Sequence, residues 1–142
     1  MYKKIAIALG ILLLPVLIST ACSNINAAQN IVEFGQEFVL PIGQSVSLSG
    51  DGMIIRFDSV ETDSRSPVGV QTIWAGKAKC NLVITDNGND AQIVLTEKGL
   101  TDEYSTAPFG THEISFKLLP YPKADVQPAA EDYELIMTVF EN

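Results

Sequence analysis

The sequence predicts an all-β fold, a sandwich of about seven antiparallel strands, immunoglobulin-like in its layers, with a small closed β-barrel as the alternative. Three observations carry this. From Ile31 onward apolar residues alternate with a period of two, no segment shows the 3.6-residue spacing of an amphipathic helix, and Gly, Pro, Asn and Asp punctuate the runs at short intervals. Strands that are apolar on one side need a second layer to cover that side, which two packed sheets supply. The paired core cysteines of antibody domains are missing, so strand order stays open, and a barrel would close the same strands without edges.

Taken in order, Met1 to Ala21 has the grammar of a signal peptide. Lys3 and Lys4 form a positive start, Ile5 to Ile18 an apolar run of 14 residues, and Ser19, Thr20 and Ala21 a small-residue cleavage region. A helix crossing the bilayer core needs roughly 20 residues, and Pro15 interrupts this run, so cleavage is expected rather than retention as an anchor. Residues 22–30 are small and polar after the cysteine and read as a tether reaching at most about 25 Å. Residues 31–142 then form one domain, and the 121 residues left after cleavage suffice to bury a core.

Strands are expected at Ile31 to Leu40, with a bulge at Gly35, and at Ser45 to Ser49, Met53 to Glu61, Thr72 to Thr85, Ala91 to Glu97, Thr111 to Leu119 and Tyr133 to Glu141. Asp51-Gly52 and Asn87-Gly88 supply residues that accept positive φ in tight hairpins. In the longest run, alternation puts Thr72, Trp74, Gly76, Ala78, Cys80, Leu82 and Ile84 on one face, with Lys77, Lys79 and Asn81 on the other. Trp74 is thereby expected as a core anchor, a binding platform being the alternative, with Gly76 leaving room beside the indole and Cys80 a buried, unreactive thiol. Ile114, Phe116 and Leu118 alternate in the same way with Glu113, Ser115 and Lys117.

Composition narrows the function classes. Without Lys3 and Lys4, 7 basic residues face 17 acidic ones, a net charge of −10 that repels nucleic acid and anionic headgroups. Cys22 and Cys80 are the two cysteines and His112 the one histidine, so a His-rich metal site is excluded and a Ser-His-Asp triad would centre on His112, which is expected to face solvent. Asp86-Asn87-Gly88-Asn89-Asp90 lacks the closing glutamate of a calcium loop and reads as a hairpin turn. There is no glycine-rich phosphate loop. The expectation is a non-enzyme with no cofactor and no metal.

Ser19-Thr20-Ala21-Cys22 resembles the bacterial lipobox, although that pattern favours Leu where this chain has Ser19. The resemblance implies a diacylglyceryl thioether on Cys22, with an N-acyl chain such as palmitate after cleavage; ordinary signal cleavage is the alternative. Two or three acyl chains hold a protein durably at a bilayer, and an internal disulfide between Cys22 and Cys80 is then excluded. In a Gram-negative host, Ser23 after the lipid cysteine resembles the residues that permit outer-membrane sorting.

Asp63-Ser64-Arg65-Ser66-Pro67, followed by Thr72-Ile73-Trp74-Ala75-Gly76, resembles a motif of poorly characterised bacterial secreted proteins and lipoproteins, Asp-Ser-Arg-Cys-Pro then Cys-x-Trp-Ala-Gly. Phe34-Gly35-Gln36-Glu37-Phe38 and Ile42-Gly43-Gln44-Ser45 also look like that group, which brings no established activity. Ser66 and Thr72 stand where the motif has cysteines, and their joint replacement is what a normally bonded pair implies. Arg65 is expected to brace its loop by pairing with a nearby carboxylate or with loop carbonyls; the alternative is that Arg65 and Asp63 form a ligand-binding pair. The function expected is a membrane-anchored, non-catalytic interaction module that contacts an envelope protein through the Thr62 to Gln71 or Gly99 to Pro108 loop. The alternatives are a secreted protease-inhibitor-like domain, presenting Arg65-Ser66-Pro67, and a hydrolase.

Overall fold

The computed structural model describes residues 30–142; the expected signal segment, the expected lipidation at Cys22 and the expected tether up to residue 29 lie outside the described residues. The chain is an all-β sandwich of two packed sheets. Its strands are β1 (Asn30–Val32), β2 (Glu37–Pro41), β3 (Ser45–Leu48), β4 (Ile54–Asp63), β5 (Lys77–Asp86), β6 (Asn89–Lys98), β7 (Ser105–Phe109), β8 (His112–Leu119) and β9 (Glu134–Glu141), with one 3-10 turn at Ala130–Asp132. One sheet has the order β1-β3-β4-β5-β6 and the other β2-β9-β8-β7. The layers are those of the sandwich expected; β3 to β6 and β7 to β9 run as antiparallel meanders, while β1 joins β3 in parallel and β2 joins β9 antiparallel.

Alternation decides the core. Ala78, Cys80, Leu82 and Ile84 of β5 face Ile114, Phe116 and Leu118 of β8 and Leu135, Met137 and Val139 of β9 across one buried cluster. The β5–β6 hairpin turns on Asn87 and Gly88, both at positive φ (48° and 78°), the mirror-image turn whose twist matches the strands it joins.

Two expected strands and one expected loop are corrected. Ile31 to Leu40 is two strands in different sheets: a hydrogen-bonded turn from Glu33 to Gln36, with Gly35 at φ 78°, carries the chain across instead of forming a bulge. The run from Thr72 begins as a strand only at Lys77, because positions 64–76 are held in a loop described below. Ser105–Phe109 is a strand inside the stretch expected as loop; Pro108 lowers its apparent strand character but is tolerated on a sheet edge, where its missing N–H is not needed.

Two bulges in β4 matter for the site. Phe57, Val60 and Asp63 pair with Leu82, Cys80 and Ala78, so β4 uses six residue steps where β5 uses four. The extra residues turn the end of β4 and direct the Asp63 carboxylate inward rather than to solvent.

Candidate functional site: a loop cluster locked by Arg65

At the end of the sandwich where β4 stops and β5 starts, the Arg65 side chain is fully enclosed. All five guanidinium N–H donors are used. Nε and Nη2 donate to the two oxygens of Asp63 at 2.9 and 2.7 Å, a bidentate fork. Nη2 also donates to the Pro120 carbonyl at 3.1 Å, while Nη1 donates to the Leu118 carbonyl at 2.8 Å and reaches Glu97 Oε2 at 3.4 Å. The Tyr121 ring lies against the cation, 4.7 Å from its centroid. Burial alone would lower the Arg65 pKa, but the Asp63 hydrogen bonds and the charges of Asp63 and Glu97 outweigh it and hold the pKa above its ordinary value.

The bracing role expected of Arg65 is therefore wider than its own loop. Asp63 and Glu97 belong to one sheet and Leu118 to the other, so a single cation ties the layers together. Tyr133 donates its hydroxyl to Asp63 Oδ2 at 3.1 Å; burial, with Asp63 beside it, pushes this phenol up to about 12. Glu97 accepts the Leu118 N–H at 2.7 Å through Oε2, while its Oε1 is buried without a partner. Burial raises the Glu97 pKa, against the opposing pull of the Leu118 N–H and Arg65. Motif reasoning missed Glu97, Tyr121 and Tyr133. Glu97 carried a legible signal, a charged residue in phase with Leu95 on the apolar face of its strand; the tyrosines lie far from Arg65 in sequence and carried none.

The rest of the motif closes the loop. Ser66 Oγ lies 2.6 Å from Thr72 Oγ1 and donates to the Trp74 carbonyl at 2.6 Å, with Thr72 Oγ1 2.9 Å from the same carbonyl. Backbone bonds from Ser64 N–H to Lys77 and from Ser66 N–H to Ala75 continue the closure. Gly76 has φ 69°, and a Cβ there would overlap the Ser64 carbonyl. Its smallness serves this backbone crossing, which corrects the expectation that it leaves room beside the indole. Trp74 itself is 74% exposed and Ile73 92%. The expected core anchor points outward because the alternation used to place it stops at Lys77.

Neighbouring loops meet this one. The Val68 N–H donates to the Pro122 carbonyl, the Gly99 N–H to the Gly76 carbonyl, and the Leu100 N–H to the Tyr121 hydroxyl at 2.8 Å. Val68, Val70, Ile73, Trp74, Leu100 and Val126 are left exposed on these segments. A cleft of about 460 Å³ runs between Val68 and Leu100, floored by Leu119 and Tyr121. The two loops singled out separately in the sequence are thus one surface. Arg65 and Ser66, by contrast, are buried and are not presented to any partner.

The remaining candidates lie elsewhere. Cys80 is a free, enclosed thiol, as expected, and burial pushes it up to about 12. His112 does not simply face solvent: its ring stacks on Phe34, with centroids 5.2 Å apart, and sits 3.5 Å from Asp51. Among the described residues no group of three or more His, Cys, Asp or Glu side chains is placed to hold a metal ion. No protein family, characterised protein or solved structure matches the chain.

Proposed function

We propose that the chain is an exported, lipid-anchored protein of the bacterial cell envelope whose sandwich serves as a non-catalytic interaction module. The observation that carries this reading is the exposure of Ile73 and Trp74 on a loop whose base is fixed by the enclosed Arg65. Large exposed apolar side chains on a soluble domain mark binding surfaces, and a tryptophan held on a rigid base binds with little ordering cost. Val68 and Leu100 widen the surface around the cleft. The lipobox-like segment ending at Cys22 supplies the anchor, and its short tether keeps the domain near the membrane.

A photo-activated cross-linking side chain at position 73, expressed in the native envelope, tests the surface. A specific envelope protein captured at 73 and not at the exposed position 113, at the other end of the sandwich, supports the reading; equal capture at both, or none, overturns it. The intact mass of the mature protein tests the anchor separately, since an unmodified N-terminus or a retained signal segment removes the lipoprotein assignment whatever position 73 captures.

A further inference from the structure

Four strands form the sheet edges, and three of them are blunted in the ways that prevent edge pairing. β1 is three residues long, β2 ends in Pro41, and β7 carries Pro108. β6 is different: it has ten residues, no proline, and an unbroken register with β5. The two-residue turn makes Asp86 and Asn89 a hydrogen-bonded pair. Alternation from there turns the N–H and C=O groups of Asp90, Gln92, Val94, Thr96 and Lys98 to the open side. The side chains of these same five residues are exposed, Val94 by 53%.

The side chains along this edge are self-complementary. We propose that β6 pairs antiparallel with β6 of a second copy of this chain about a two-fold axis at Val94, joining two five-stranded sheets into one. Asp90 then lies opposite Lys98 of the second copy, Gln92 opposite Thr96, and Val94 opposite Val94, and the symmetry repeats the charge pair at both ends. Shifting the axis by one residue sets Asp90 against Thr96, or Gln92 against Lys98, and both charge pairs are lost. Within one copy Lys98 sits directly across from Lys77, an unfavourable like-charge pair, and among the described residues Lys98 makes no ion pair at contact distance. The carboxylate arriving from the second copy relieves it. On the inner face Ile93 meets Leu95 of the second copy in the closer, non-hydrogen-bonded pairs, which covers the half-buried Ile93. This inference goes beyond the proposed function and does not rest on lipidation or on the loop surface.

Cysteine scanning of the full chain tests it. Residues paired across the axis have Cα atoms about 5.5 Å apart, within reach of a disulfide; Cys22→Ser in every variant removes one competing thiol, and the enclosed Cys80 does not compete. Under mild oxidation Val94→Cys is expected to give a disulfide-linked dimer through position 94, identified by mass spectrometry of the bridged peptide. Gln92→Cys and Thr96→Cys are each expected to stay unlinked alone and to link when the two chains are mixed. Asp90→Lys and Lys98→Asp should each weaken the dimer about tenfold, the scale of two cross-strand charge pairs, and the double exchange should restore it. Restoration also shows that a single change acted on pairing and not on folding of the hairpin, where Asp90 accepts a bond from Thr85. A Val94→Cys chain that stays monomeric, cross-linking of equal yield at positions 92, 94 and 96, or linkage of position 94 to a different protein overturns the proposal.

Discussion

The hydroxyl oxygens of Ser66 and Thr72 lie 2.6 Å apart, and both approach the carbonyl of Trp74. Two hydroxyl protons serve three oxygen–oxygen contacts, so this clasp is held by hydrogen bonds at the two positions where the resembling motif has cysteines. A hydroxyl oxygen sits where a cysteine sulfur would, one bond beyond Cβ. Side-chain oxygens in contact aim the two Cβ–Oγ bonds toward one another, the direction a bridge between these positions would take.

Ser66→Cys with Thr72→Cys, in a chain that also carries Cys22→Ser, is expected to close a disulfide and to raise stability by about 1 to 2 kcal/mol. Chain entropy for so short a loop favours about 2 kcal/mol, and loss of both hydroxyl donors to the Trp74 carbonyl offsets part of it. Denaturation with and without reductant reads the gain, and a mass loss of two hydrogens confirms closure. Bridging through Cys80 instead would show that the loop does not hold this geometry in solution.

Trp74 is the one tryptophan of the chain, so its fluorescence reports this loop alone. Its exposure predicts long-wavelength native emission, ready quenching by acrylamide, and little change on unfolding. Trp74→Ala should alter stability by less than about 0.5 kcal/mol, whereas Phe57→Ala in the core should cost about 3 to 5 kcal/mol. A blue-shifted, protected native emission contradicts the exposed placement.

The contrast between Trp74 and Cys80 shows how far alternation reads. From Lys77 to Ile84 a period of two placed Ala78, Cys80, Leu82 and Ile84 inside correctly, because a continuous ladder on both sides of β5 enforces the pleat. Extending the same phase back to Trp74 failed because nothing in local propensity reports a clasp made by Ser66 and Thr72 across the loop. Gly35 failed similarly: a positive-φ residue between apolar runs is compatible with a bulge or with a turn between sheets, and tertiary packing chooses. The site was half legible. Asp63 and Arg65 are two residues apart and their pairing follows from spacing, while Tyr121 and the carbonyls of Leu118 and Pro120 arrive from more than fifty positions away.

Cys80 should resist thiol reagents in the native protein and react once it is denatured. It is enclosed, its thiol is pushed up to about 12 by burial with Glu97 adding to the effect, and the thiolate is the reactive form. Rapid native labelling, followed by mass spectrometry of the peptide, would mean that the core opens beside the Arg65 cluster.

Glu97 makes that cluster sensitive to pH. One cation sits among two enclosed carboxylates, and the second of these has an unpartnered oxygen. Burial raises the Glu97 pKa above its ordinary 4.5, so the native state holds this proton more tightly than the unfolded chain does. Stability from that proton is complete below about pH 4.5 and is lost as pH rises through the native value. Glu97→Gln keeps an acceptor for the Leu118 N–H but cannot titrate, so the variant should gain relative to the natural chain as pH rises from 4 to 8. Urea midpoints across that range measure the difference, and parallel curves for the two chains would rule out Glu97 as the titrating group. Removing the cation works in the opposite sense: Arg65→Met strands Asp63 and Glu97 without a partner and should cost about 3 to 5 kcal/mol at neutral pH. Adding Glu97→Gln to Arg65→Met should recover part of that loss, because it takes away one of the two uncompensated charges. Simple additivity of the two substitutions would show that Arg65 and Glu97 are not energetically coupled across their 3.4 Å contact.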